Sequence, residues 1–141
     1  MSRIVVGVDA SDHAKRALRW ALDEARLRGA ELELVHAVHQ PDLAAMPAVL
    51  PMPSHEELIE AGEALLNELL GDADASGVEL LRTVRSGGAA GVLCQAAREA
   101  DLAVVGARGL GGFRGLLLGS VTQQVVAHAS CPVVVVVPED R

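Results

Sequence analysis

The chain has almost no aromatic residues: Trp20 and Phe113 are the only two, and tyrosine is absent. A core built from this composition rests on aliphatic packing between helices and a sheet. Lysine is nearly absent as well. Lys15 is the only one, so a P-loop, which needs Gly-x4-Gly-Lys-Ser/Thr, is excluded. Cysteine is limited to Cys94 and Cys131, far apart in sequence and without CxxC or metal-ligand spacing, which predicts reduced thiols rather than a disulfide. No apolar run approaches the roughly 18–20 residues of a membrane span. The sequence passes from Arg3 straight into a β-rich run without a signal-peptide layout, so the expectation is a cytoplasmic protein with no membrane partner. A net charge of −7 argues against nucleic acid as a partner, because nonspecific binding depends on clustered cations.

One further absence is local. Between Asp101 and Glu139 there is no carboxylate, and the charged side chains of that interval are Arg108, Arg114 and, when protonated, His128. The same interval holds GARGLGGFRGLLLGS, residues 106–120, in which six of fifteen residues are glycine. It follows an apolar run, Leu102–Val105, that reads as a buried strand, and it leads into Val121–Ala127, which reads as a helix. Strand, glycine-rich loop and helix N-terminus together present backbone N–H groups to a phosphate. With no carboxylate nearby, an anion meets little local repulsion there although the molecule as a whole repels it. A dinucleotide fingerprint does not fit: counting from Gly109 and Gly111, the position that requires the third glycine holds Arg114.

At 141 residues the chain is expected to form a single domain, residues 1–141, burying about two thirds of its unfolded surface. Arg3–Val8 reads as a central strand ending in the capping cluster Asp9-Ala10-Ser11-Asp12. A helix follows with Ala14, Ala17, Leu18, Ala21, Leu22 and Ala25 on its apolar stripe, Trp20 at a packing edge and Gly29 as its stop. Glu31–Val38 is a second strand, and His36 at its end reads as a hydrogen-bonded structural residue. Gln40–Ser54 carries four prolines and several aliphatic residues, a long loop expected to act as a lid that orders with ligand, or else as a plain connector. Ser54 caps a second helix with Glu57 at the capping-box position and Leu58, Leu65, Leu66, Leu69 and Leu70 on its apolar side. Val78–Val84 reads as the third strand and about Ala89–Ala100 as the third helix, packing through Val92, Leu93, Ala96 and Ala97. Between them, Ser86-Gly87-Gly88 resembles the opening of an ATP pyrophosphatase loop, but Ala90-Gly91 stands where Asp-Ser is needed, so it reads as a tight turn. Val133–Val137, between Pro132 and Pro138, is the last strand. Five strands alternating with four helices imply an open, doubly wound, Rossmann-like α/β sheet, mainly parallel, with its ligand site beyond the carboxyl ends of the strands.

Gly106-x2-Gly109-x9-Gly119-Ser120 resembles the ATP-binding signature of the universal stress protein family. The likeness extends along the chain: Gly7-Val8-Asp9-x-Ser11, Leu34–Val38, Gly87-x-Ala89-Ala90 (with Ala89 where the family usually has proline), Asp101–Gly106, and Ser130-Cys131-Pro132-Val133. The resemblance implies strand order 3-2-1-4-5. It also implies that Asp9 holds the ribose end of ATP with Gly7 and Val8 close by, and that the backbone at Ala37 contacts adenine. Gly106, Gly109, Gly119, Ser120 and Val121 would then hold the phosphates, with Val105 and Ala107 beside them and a charged contact from Arg108. Mg²⁺ would ride on the phosphates.

Three functions fit these residues. The first is an ATP-binding stress or regulatory module with an unknown protein partner. The second is a slow ATP hydrolase, for which Asp9 is the nearest base. The third is a nucleotide-free interaction protein. In the implied strand order the valine strand lies at the sheet edge, uncharged and unblunted, and it is expected to pair with its own copy in a homodimer through Val133–Val137.

Overall fold

The computed structural model describes residues 2–39, 51–109 and 118–139. Residues 40–50 of the expected lid Gln40–Ser54, and the middle of the glycine-rich stretch, residues 110–117, lie outside the described residues. The elements run β1 (Arg3–Gly7), α1 (Asp12–Arg28), β2 (Glu31–Val38), α2 (His55–Gly71), β3 (Leu80–Ser86), α3 (Ala89–Ala97), β4 (Leu102–Gly106), α4 (Ser120–His128) and β5 (Val133–Val136). The strands form one parallel sheet in the order β3-β2-β1-β4-β5.

The inner strands β1, β2 and β4 are buried on both faces, and alternate residues feed two cores. Ile4, Val6, Leu32, Leu34, Leu102 and Val104 point to one face and meet α1 and α2. Val5, Val35, Ala103 and Val105 point to the other and meet α3 and Val125 of α4. Each fully buried Ile, Leu or Val contributes about 1.5–3 kcal/mol, and the continuous apolar runs of β1 and β4 are explained by this two-sided burial. The buried residues of α1 are Ala14, Ala17, Leu18, Ala21, Leu22 and Ala25, the stripe expected from helical spacing. The Ser11 hydroxyl accepts the Ala14 N–H at its start, and Gly29, at φ 63°, closes it in the left-handed conformation glycine tolerates. Ser54 caps α2 in the same way, accepting the Glu57 N–H at 3.1 Å.

The third strand differs from its expected span. It starts at Leu80 rather than Val78 and runs on to Ser86. Val78 instead closes a turn onto the Ala75 carbonyl, after Gly77 at φ 75°. Pairing with β2 then runs from Leu32–Leu80 to Val38–Ser86. The third helix ends at Ala97, short of Ala100, and the last strand stops at Val136. The two sheet edges are unlike: β3 carries Arg82 and Arg85, whereas β5 is four half-buried valines.

Candidate functional site

The sheet splits between β1 and β4. Their last pair is Val6 with Val104, and beyond it β1 leads into α1 on one face while β4 leads toward α4 on the other. The resulting crevice is a cavity of about 310 Å³, near the lower end of the range for small-ligand sites.

Its walls come from four strand ends and helix starts. Beside β1, Gly7, Val8, Asp9 and Ser11 line it, joined by Ala14 of α1. The Asp9 carboxylate accepts the Ser11 N–H at 2.8 Å, and the Val8 N–H donates to the Val35 carbonyl at 3.0 Å. His36 Nδ1 lies 2.8 Å from the Val8 carbonyl. A carbonyl only accepts, so Nδ1 carries the proton, and the residue is structural as expected. Val35 and Ala37 supply the β2 wall, with Ala89 and Leu93 of α3 opposite. Gly7 lies close against α3: a Cβ there would stand 2.7 Å from Leu93 Cδ2 and would push that side-chain end aside.

The far end is built by Val105, Gly106, Arg108, Gly109, Gly119, Ser120, Val121 and Thr122. Gly119 caps α4 without a side-chain hydrogen bond, so the first-turn N–H groups depend on water or a ligand for partners. The three signature glycines each lie against a different neighbour. A Cβ on Gly106 would meet the His13 backbone of α1, at 2.8 Å from its oxygen. One on Gly109 would lie 2.6 Å from Asp9 Oδ2. One on Gly119 would lie 3.3 Å from Arg108 Cα. The close Gly109–Asp9 approach brings the β1 and β4 loops together across the cleft.

Eleven of the twelve residues expected at the site, all but Ala107, therefore line one cavity. Ala107 is buried and acts as a tie: its N–H donates to the Val136 carbonyl and its carbonyl accepts the Gly119 N–H, at 3.0 and 2.8 Å. Sequence reasoning missed Ser11, Ala14, Val35, Ala89, Leu93 and Thr122 as lining residues. Ser11, Val35 and Ala89 stand at motif positions, but nothing local marks Leu93 or Thr122 as lining residues. Among the described lining residues Asp9 is the sole carboxylate and Arg108 the sole cation. The described residues hold no cluster of three or more His, Cys, Asp or Glu suited to a metal ion. Cys94 and Cys131 lie outside the cavity lining as free thiols, and burial pushes both above the ordinary thiol range.

The profile of the universal stress protein family matches residues 1–137. A universal stress protein from Thermus aquaticus is 40% identical over 139 residues, covering 94% of this chain and 96% of that protein. One from Mycolicibacterium smegmatis is 38% identical over 137 residues, covering 96% of this chain but 45% of the relative, so the chain spans about half the length of that protein. Among solved structures, a universal stress protein in complex with cAMP superposes with a TM-score of 0.72 at 30% identity, covering 96% of each chain. A universal stress protein family protein from Arabidopsis thaliana with AMP bound gives 0.67 at 25% identity, over all of this chain and 95% of that one.

Proposed function

Since this chain belongs to the universal stress protein family, we propose that its cleft binds an adenine nucleotide, ATP foremost, and that the protein acts as a cytoplasmic stress-response module regulated by that nucleotide rather than as an enzyme. The observation that carries this reading is a single cavity running from an apolar slot at Val35, Ala37, Ala89 and Leu93, past Asp9, to the uncapped start of α4. Base, ribose and phosphate each have a chemically suited wall. Adenine takes the slot and the Ala37 backbone. The ribose hydroxyls donate to Asp9. The phosphates take the N–H groups of Gly109, Ser120 and Val121, the Ser120 hydroxyl and the Arg108 guanidinium. The bound cAMP and AMP of the structural relatives support an adenine nucleotide.

Mg²⁺, if it enters with ATP, is carried by the phosphates, because one carboxylate among the described lining residues is too few for a protein cage. The test is titration calorimetry with ATP, AMP and adenosine, together with analysis of the small molecules that copurify. Micromolar or tighter ATP binding is expected, roughly −8 kcal/mol or better. A folded protein that gives no heat with either nucleotide refutes the reading and leaves the nucleotide-free interaction protein.

The partner side of the proposal is a homodimer through Val133–Val137. β5 is an edge strand of half-buried valines, and antiparallel pairing about a two-fold axis satisfies its outer backbone groups without leaving a further edge. The Arg16 guanidinium donates to the Val137 carbonyl and pairs with Glu139, so the residues after the strand are tied to α1. Light scattering decides it. Dimers that become monomers in folded Val135→Pro are expected; a wild-type monomer at micromolar concentration removes the proposal.

A further inference from the structure

Thr122 sits in the first turn of α4, 4% exposed, and its Oγ1 donates to the Gly106 carbonyl at 2.8 Å, sixteen residues back. Gly106 lies two residues past the last β1–β4 pair, Val6 with Val104. The pairing with β1 has ended there, although Gly106 still pairs with Val136 of β5, and α4 supplies through Thr122 a donor to the Gly106 carbonyl. The adjacent bond runs the same way, from the Gly119 N–H to the Ala107 carbonyl at 2.8 Å. These two bonds clamp the start of the helix, Gly119 and Thr122, to the end of β4 at Gly106 and Ala107.

Thr122 also lines the cavity, which invites a ligand-contact role, but its chemistry argues otherwise. Its single hydroxyl hydrogen is committed to Gly106, and the remaining lone pairs repel an anion. A phosphate must therefore find its donors at the neighbouring N–H groups, whose position the Thr122 bond sets.

On the nucleotide reading above, we infer that Thr122 is the positioning residue of the phosphate end: its hydrogen bond to Gly106 fixes the separation between the β4 loop and the α4 N-terminus that a phosphate has to bridge. The bond is buried, so removing the donor leaves the Gly106 carbonyl without its protein partner and releases the helix start from β4. Thr122→Val keeps the shape and removes the donor, and Thr122→Ser keeps the donor.

The experiment compares AMP with adenosine by calorimetry on the folded wild type and both variants. The wild type should bind AMP more tightly than adenosine. Thr122→Val should lose about tenfold or more in AMP affinity and less than about twofold in adenosine affinity, with Thr122→Ser close to the wild type for both. Unchanged AMP affinity in Thr122→Val overturns the inference. Equal losses for AMP and adenosine overturn it too, because they report general loosening. A wild type that gains nothing from the phosphate refutes the phosphate site itself, and the inference with it, a result separable from the other two. Should Thr122→Val not fold, Thr122→Ala carries the same comparison without added bulk.

Discussion

Gly106→Ala should weaken the fold more than the site. The added Cβ would lie 2.8 Å from the His13 oxygen and 2.9 Å from both its carbonyl carbon and its Cβ. Ordinary contact begins at 3.4 Å, so relief needs 3.4 − 2.8 = 0.6 Å of movement between β4 and α1. Two of the three atoms struck are backbone and the third is the Cβ fixed to it, so no side-chain rotation relieves the clash. Nor does α1 have room to lift, because Ala17, Leu18, Ala21 and Leu22 of the same helix are fully packed on the sheet. Overpacking of this kind costs about 1–3 kcal/mol. At roughly 4 °C per kcal/mol for a chain of this size, the melting temperature should fall by about 4–12 °C. The control is Gly91→Ala in α3, where the new Cβ meets nothing within 4 Å. It should stabilise by about 0.5–1 kcal/mol, through helix propensity and a less free unfolded chain. Thermal unfolding by circular dichroism measures both. A Gly106→Ala protein melting within about 1 °C of the wild type would refute the packing argument.

Gly109→Ala should act the other way round. Its Cβ strikes Asp9 Oδ2, a side-chain atom that can yield, at the expense of the Ser11 N–H bond to the same carboxylate. Nucleotide affinity should fall by about tenfold or more, roughly 1.4 kcal/mol, with a smaller drop in melting temperature than Gly106→Ala; unchanged affinity by calorimetry removes the assignment of Asp9 to the ligand. Phosphate release with Mg²⁺ and ATP should run far below the roughly 1–100 s⁻¹ of kinases, and turnover at 1 s⁻¹ or faster that disappears in Asp9→Asn would make the protein an enzyme. Burial raises both cysteines, so the reactive thiolate is scarcer than in a free thiol until the pH passes their elevated values. Iodoacetamide labelling followed by mass spectrometry at about pH 8 should be slower at Cys94 and Cys131 than at a free model thiol, and equal rates contradict the burial.

What was legible in the sequence was whatever periodicity records. The α1 stripe, a cap within Asp9–Asp12, Ser54 as the cap of α2, Gly29 as a stop and the burial of β1 and β4 each follow from a local pattern with one physical reading. That a cleft lies beyond the strand ends follows from a sheet of this class, whereas the residues expected to line it came from the resemblance to the family signature. Contacts made across the fold left no such trace. Gly62 passes for an ordinary residue inside a leucine-rich helix, yet a Cβ there would stand 2.6 Å from Val84 Cγ1 and 3.2 Å from His36 Cδ2, so its absence lets α2 lie close on β2 and β3. Thr122 looks like a β-branched residue out of place in a helix, and only the split between β1 and β4 gives its hydroxyl a partner. The start of β3 was misplaced because Val78 and Glu79 look as strand-like as Leu80, whereas the turn ending at Val78 leaves pairing with β2 to begin at Leu80.

The spacing Gly-x2-Gly-x9-Gly-Ser leaves room for a phosphate, and the neighbours of each glycine give it a more specific meaning. Gly106 records how closely α1 crosses the end of β4, Gly109 how closely the β1 carboxylate approaches the β4 loop, and Gly119 how closely the start of α4 returns to Arg108. Three elements distant in sequence therefore converge on one short neck, before any ligand is considered. An acidic chain cannot attract a nucleotide by net charge. It can hold one by presenting oriented N–H groups at short range, where the local absence of carboxylates matters more than the global excess. Close approach is what orients those groups. On this view the glycines act on a phosphate mainly through the protein contacts they permit, and that is why substitutions at Gly106 and Gly109, three residues apart in one motif, should separate into a loss of stability and a loss of affinity.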